Sequence, residues 1–329
     1  MLYRKFASRL EQFLKNEPNK ILLVNGARQI GKSYIIRYVG TRLFSNFVEI
    51  NLKADKEGDG LFATVRSKDD FYLQLGALAG KKLGNRGDTL IFLDEIQSYP
   101  HLMTMLKFLN EDERYRYIAS GSELGVALAQ TPSVPIGSIA IEQMYPLDFE
   151  EFLIAMGCAQ TTIEGVEECF KKRQTLSDSL HNYMLQQFKI YLLVGGMPDA
   201  INKFVENRNI AQVRDIQRDI HALYRIDASQ YDEEKKLVIR KVYDLIPSNM
   251  ENKKKRVVAQ NIENKRGKTF GDYSDEFEYL ISTGIALNVQ AISNPVFPLI
   301  ESTGKNLLKL YLNDVGILTG ILYGNNIRA

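Results

Sequence analysis

The chain has 329 residues, 45% of them hydrophobic, with 42 Lys and Arg against 40 Asp and Glu. That length predicts two or three domains with proper cores, and a net charge of +2 carries no global argument for an acidic or a basic partner. Cys158 and Cys169 lack metal spacing and suit a reducing compartment, and His101, His181 and His221 are too scattered for a zinc site. No apolar run approaches membrane-spanning length, so the expected location is the cytoplasm.

The opening stretch, MLYRKFASRLEQFLK, places Leu2, Phe6, Leu10, Phe13 and Leu14 at helical spacing and is too charged for a secretory signal. Ile21 to Val24 reads as a buried strand that breaks at Asn25-Gly26. After Gly31-Lys32-Ser33 a helical pattern runs through Ile35, Ile36 and Val39. Further strands are expected over 47–52, 89–93, 116–119 and 138–142, with helices over 68–83 and 101–110. Strands alternating with helices across some 150 residues indicate a parallel α/β sheet.

The stretch KILLVNGARQIGKS contains G-x-x-x-x-G-K-S between a strand and a helix, the spacing of a phosphate-binding loop. Gly26 and Gly31 let the backbone turn so that the N–H groups of Ala27, Arg28, Gln29, Ile30, Lys32, Ser33 and Tyr34 can surround a polyphosphate at a helix N-terminus. Lys32 is expected to reach the β- and γ-phosphates of a nucleotide and Ser33 to ligate Mg²⁺. The strand TLIFL ends in Asp94-Glu95. Asp94 is expected to hold Mg²⁺ through water, and Glu95 to polarise the attacking water. Ser120-Gly121-Ser122 follows another strand; Ser122 reads either as a γ-phosphate sensor or as part of a Ser/Gly turn.

NGARQIGKS, FLDEIQ, ASGSEL, YPLDFEEF and LLVGGMPDA occur here in the order that resembles prokaryotic AAA-type ATP-binding proteins with a C-terminal region of unknown function, close to the archaeal ATPases and the STAND group. The resemblance spans about residues 1–320. It implies a P-loop NTPase sheet flanked by helices over 1–158, a helical lid over 159–232, a winged-helix-like α+β domain over 233–295, and over 296–329 the start of a truncated α/β segment. In longer relatives that segment is nuclease-like; Asp314 is present here without its would-be partners, so no nuclease activity is expected. Gly195-Gly196-Met197-Pro198 resembles the lid G-x-P motif that sets a proline near adenine. The bland alternative is a helix ended by glycine and another begun by proline.

Arg214, Arg218 and Arg225 share a predicted helix that could send one guanidinium toward the γ-phosphate, with a solvated face as the plainer fate. From Tyr117 through Phe170 there is no Arg or Lys, and Ser138 stands where relatives often carry a basic residue. An arginine finger raises turnover by about 10³–10⁵, so a slow ATPase acting as a switch is expected rather than a fast ring motor.

Between Lys235 and Lys268 there are 11 Lys/Arg against three acids, including the run Lys253-Lys254-Lys255-Arg256. That run reads as a non-specific DNA contact, a protein-docking surface or a solvated loop. The helix expected over 270–281 carries Asp272, Asp275, Glu276 and Glu278 and would repel phosphate, which disfavours reading of the major groove. The expected function is Mg²⁺-dependent ATP binding and hydrolysis. A non-catalytic, ATP-stabilised scaffold or protein-interaction module is the alternative, and a small-molecule kinase is weaker because the later motifs resemble ATPase sensors.

Overall fold

The protein is described as a computed structural model covering residues 2–17, 19–130, 137–228, 236–251, 257–292, 294, 296, 297 and 303–324. Two compact units emerge, Arg4–Met144 and Tyr145–Ala329, the second including Met1–Tyr3. The basic run 253–256 lies outside the described residues.

In the first unit, α1 (Lys5–Asn16) buries Phe6, Leu10 and Leu14, one face of the amphipathic pattern. Then follow β1 (Ile21–Asn25), α2 (Lys32–Leu43), β2 (Asn46–Asn51), α3 (Leu52–Glu57) and α4 (Lys68–Ala79). Ser67 and Asp70 form a reciprocal capping box that starts α4. The unit continues through β3 (Thr89–Asp94), α5 (Pro100–Glu111), β4 (Arg116–Gly121), α6 (Leu124–Gln130) and β5 (Ile139–Gln143). The five strands are parallel, in the order β2-β3-β4-β1-β5.

The apolar runs explain this arrangement. β1 and β3 are buried along their whole length, as strands with both faces covered must be. One core joins Leu23, Ile91 and Leu93 of the sheet to Phe71 and Leu75 of α4 and to Leu102 and Leu106 of α5. Each such side chain contributes about 1.5–3 kcal/mol relative to its exposed state. Because all strands run the same way, Asn25, Asp94, Gly121 and Gln143 end along one edge, and β1 sits between β4 and β5, where crossover connections diverge.

The second unit begins with α7 (Phe149–Ala155), α8 (Gln160–Lys172), α9 (Asp178–Val194), α10 (Pro198–Asn207) and α11 (Ile210–Asp227). Behind them come α12 (Lys236–Glu251), α13 (Ala259–Glu263), α14 (Ser274–Ser282), β6 (Ala286–Ile292), β7 (Thr303–Leu312) and α15 (Val315–Tyr323). β6 and β7 form an antiparallel pair running from Ala286–Leu312 to Ile292–Thr303. The expected boundary at residue 295 therefore separates two strands that pair with each other. Strand β7 completes a ladder with β6 instead of opening a new segment, and α15 packs on α9 and α11.

YPLDFEEF is a helix start. Asp148 accepts from the Glu151 N–H at 2.9 Å, and Glu151 returns the bond to the Asp148 N–H at 3.0 Å. The Leu147 N–H donates to the Gly196 carbonyl at 2.8 Å, and the Tyr191 hydroxyl donates to the Leu147 carbonyl at 2.8 Å. Gly196 permits this approach, since a Cβ there would overlap the Leu147 backbone. Gly195 has φ +77° and lies against the Asp314 carboxylate, where a Cβ would also collide.

Candidate functional site

The loop between β1 and α2 has three left-handed positions, Gly26 (φ 151°), Gln29 (φ 64°) and Gly31 (φ 91°). A Cβ on Gly26 would collide with the Met144 carbonyl and Ile30 Cδ1, so close approach as well as φ selects glycine. Gly31 stands at the N-terminal end of α2 and makes no side-chain cap, which leaves the first helical N–H groups facing the loop. The Lys32 ammonium is buried and donates to the Gly26 and Ala27 carbonyls at 2.8 and 2.9 Å. Ala27 and Ile30 are buried, Arg28 and Ser33 half-buried, and Gln29 and Tyr34 exposed.

Two supports had no sequence signal. Arg4, just before α1, donates through Nη1 to the Ile30 carbonyl at 3.0 Å and braces the loop from behind. At the other flank the Met144 N–H donates to the Asn25 carbonyl at 2.8 Å, and Asn25 Nδ2 donates to Gln143 Oε1 at 2.8 Å.

Asp94 ends β3 and is 4% exposed. The Ser33 hydroxyl donates to its Oδ2 at 2.8 Å, and the Ser120 hydroxyl donates to its Oδ1. A hydroxyl from the loop helix and a carboxylate from the adjacent strand end thus meet at one point. Hard oxygen donors of this kind, too few to encircle an ion, fit Mg²⁺, which keeps waters and phosphate oxygens in its remaining positions. Among the described residues no group of three or more His, Cys, Asp or Glu offers an all-protein metal cage.

Glu95 follows in a left-handed conformation (φ 53°, ψ 46°), rare for a residue with a side chain. Gln97 Nε2 donates to Glu95 Oε2 at 2.5 Å. The Ser120-Gly121-Ser122 turn divides its work. Ser120 bonds Asp94, Gly121 makes room for Gln97, and the Ser122 hydroxyl accepts from Arg28 Nε at 3.4 Å. Arg28 also faces Glu123 at 3.7 Å. Burial pushes the Glu123 carboxyl above its ordinary value against the pull of Arg28, and the Glu95 charge adds to the rise.

The first unit therefore brings together Gly26 to Tyr34, Asp94, Glu95 and Ser122. Pro198 belongs to the second unit, where it is the first residue of α10 behind the turn at Gly195-Gly196. The three arginines of α11 are engaged within that unit. Arg214 is buried, contrary to a solvated face, and its Nη1 donates to the Leu193 and Gly316 carbonyls, Gln217 Oε1 and Thr319 Oγ1 at 2.6–3.3 Å. Arg218 pairs with Asp215, and Arg225 with Asp244. Asp314 caps α15 through the Ile317 N–H at 2.9 Å and accepts from the Gly196 N–H at 2.5 Å, a structural role in place of a metal-site remnant.

A parallel sheet with a glycine loop, a buried lysine and an acidic strand end defines a P-loop nucleotidase fold. Residues 18–153 match the AAA domain family, and residues 185–326 match the Domain of unknown function (DUF8612). The chain thus carries an AAA domain followed in sequence by a domain of unknown function.

Among solved structures it is similar to the Walker-type ATPase PABY2304 of Pyrococcus abyssi, at 14% identity over 98% of this chain and 96% of that one, with a TM-score of 0.56. The Aeropyrum pernix ORC2 protein in its ADPNP–ADP complexes aligns at 12% identity over 97% and 93% of the two chains, TM-score 0.43. The Aeropyrum pernix ORC1 protein in complex with DNA aligns at 14% over 98% and 92%, TM-score 0.36. At these identities the first likeness speaks to fold alone. No curated protein matches the sequence.

Proposed function

We propose that this protein binds Mg²⁺-ATP at the loop edge of its first unit, hydrolyses it slowly, and uses the two nucleotide states as a switch. The observation that carries this reading is the meeting of Ser33 and Asp94 at 2.8 Å, beside a loop whose lysine is already folded over it. In this reading the loop N–H groups from Gly26 to Tyr34 and the Lys32 ammonium hold the phosphates. Ser33, and Asp94 through water, would hold Mg²⁺, which would supply charge neutralisation for the phosphates. Glu95 takes a proton from the attacking water, and Ser122 with Arg28 senses the γ-phosphate.

Slow turnover follows from the arginines. None occurs between Tyr117 and Phe170, those of α11 are committed within their own unit, and Arg28 faces Glu123. The switch reading rests on chain connection. Met144, the last residue of the first unit, bonds the strand end that enters the loop and packs its carbonyl on Gly26, and the next residue begins the second unit. The basic run 253–256 is assigned to non-specific DNA backbone contact on its charge alone. Two cysteines that form no disulfide fit a cytoplasmic setting.

Steady-state ATP turnover, with and without duplex DNA and with and without a chelator, tests the proposal. It predicts slow turnover that needs Mg²⁺ and is stimulated by DNA in a way that fades with salt. Turnover unchanged by the chelator would remove the metal assignment, and indifference to DNA would remove the nucleic-acid partner.

A further inference from the structure

Gln97 is placed as no spacing rule requires. Its amide nitrogen donates to Glu95 Oε2 at 2.5 Å, while its Oε1 is buried with no hydrogen-bond partner. The amide cannot be turned over, because that would set its oxygen against the carboxylate. A buried acceptor left alone costs about 1–3 kcal/mol, and in a native fold such a group calls for a cause. Gly121 keeps the space for it, since a Cβ there would overlap Gln97 Oε1 and come within 3.1 Å of its Cδ. Glu95 itself is held in the left-handed region, a conformation that persists only where its surroundings enforce it. A fixed donor and a glycine that seats its amide thus converge beside a half-buried carboxylate held in a strained conformation.

We propose that Gln97 positions Glu95 for the hydrolytic water, an inference that rests on reading Glu95 as the base. The Gln97 N–H occupies Glu95 Oε2 and stops the carboxylate from rotating, so Oε1 is the atom that receives a hydrogen from water. The second hydrogen stays on the attacking oxygen. A glutamine amide suits this task because it donates to the carboxylate without neutralising its charge. The water oxygen forms its bond to the γ-phosphorus as the bond from that phosphorus to the β–γ bridging oxygen breaks. The electron pair of the broken bond leaves with ADP. The proton taken by Glu95 passes on to the medium or the released phosphate, and Gln97 ends the cycle unchanged.

The test uses the full chain with Gln97→Met, similar in length and without the amide, beside Gly121→Ala, which displaces the amide without removing it. Steady-state turnover is measured together with affinity for ADP and for ADP plus aluminium fluoride, a mimic of the transferring phosphoryl group. The expected result for Gln97→Met is a loss of kcat of about 10²-fold with KM for ATP and affinity for ADP unchanged, and weakened binding of the aluminium fluoride complex. Gly121→Ala shifts the same quantities in the same direction and serves alone if Gln97→Met fails to fold. Wild-type kcat in both variants, or loss of ADP affinity in step with the rate, overturns the proposal. Equal rates for wild type and Glu95→Gln would instead bring down the ATPase reading beneath it, and this inference with it.

Discussion

The loop edge of the first unit and the double-glycine turn of the second carry equally conspicuous motifs, yet their hydrogen bonds are organised differently. At Gly195-Gly196 the network is saturated. Asp314 and Leu147 engage Gly196, while Gln217, Arg214 and Thr319 cover the carbonyls of Leu192, Leu193 and Val194 at the end of α9. At the loop edge the bonds are exchangeable. Lys32 rests on loop carbonyls, and Ser33 rests on Asp94. A glycine motif marks close backbone approach in both places, and only the state of the surrounding polar groups tells a joint from a binding site.

If the turn is a closed joint, its buried carboxylate should dominate the pH response of that unit. Burial raises Asp314 to about 6 from an ordinary 3.8, against the backbone N–H groups of Gly196, Ile317 and Gly316 that pull it down. The folded state then keeps this proton where the unfolded chain has lost it. The stability that is present below about pH 4 is therefore lost as pH rises through 6, by about 3 kcal/mol. Urea unfolding of wild type and Asp314→Asn at pH 4.5 and 7 measures it. Wild type should gain relative to the variant on acidification, and a parallel response would contradict the burial argument.

If the loop edge is open, Lys32→Ala should weaken ATP binding by about 1.5–3 kcal/mol, the worth of a charged hydrogen bond, with fluorescence titration of a nucleotide analogue as the measurement. Gly196→Ala should destabilise the second unit by about 1–3 kcal/mol through overlap with the Leu147 backbone, visible as a lower urea midpoint, while leaving nucleotide affinity in place. A loss of affinity there would erase the distinction between joint and site. The smallest effect belongs to Arg218→Ala. Its exposed pair with Asp215 is a surface i,i+3 bridge, so stability and turnover should both stay within error; a large fall in turnover would identify the missing arginine.

Most of the sheet was legible in the sequence, because buried parallel strands are apolar runs and their ends fell where Gly26 and Asp94 break the pattern. The loop, Asp94, Glu95 and the Ser120–Ser122 turn were readable for the same reason, as residue types at strand ends. What remained hidden depends on direction in space. Nothing in the spacing says that Ser120 faces Asp94 while Ser122 faces Arg28, that Gln97 turns back on Glu95, or that Arg4 reaches the Ile30 carbonyl. The pairing of β7 with β6 was not readable either, because strand pairing leaves no local trace. The helix α12 runs through Pro247 to Glu251, a proline that local propensity alone would place at a break.

The most direct measurement of the central claim is ATP turnover by Glu95→Gln beside its nucleotide affinity. The account predicts turnover reduced by about 10²–10⁴-fold while ATP and ADP bind as in wild type. Unchanged turnover, or affinity lost together with it, would contradict the assignment of Glu95 as the base and leave the loop edge as a site that only holds its nucleotide.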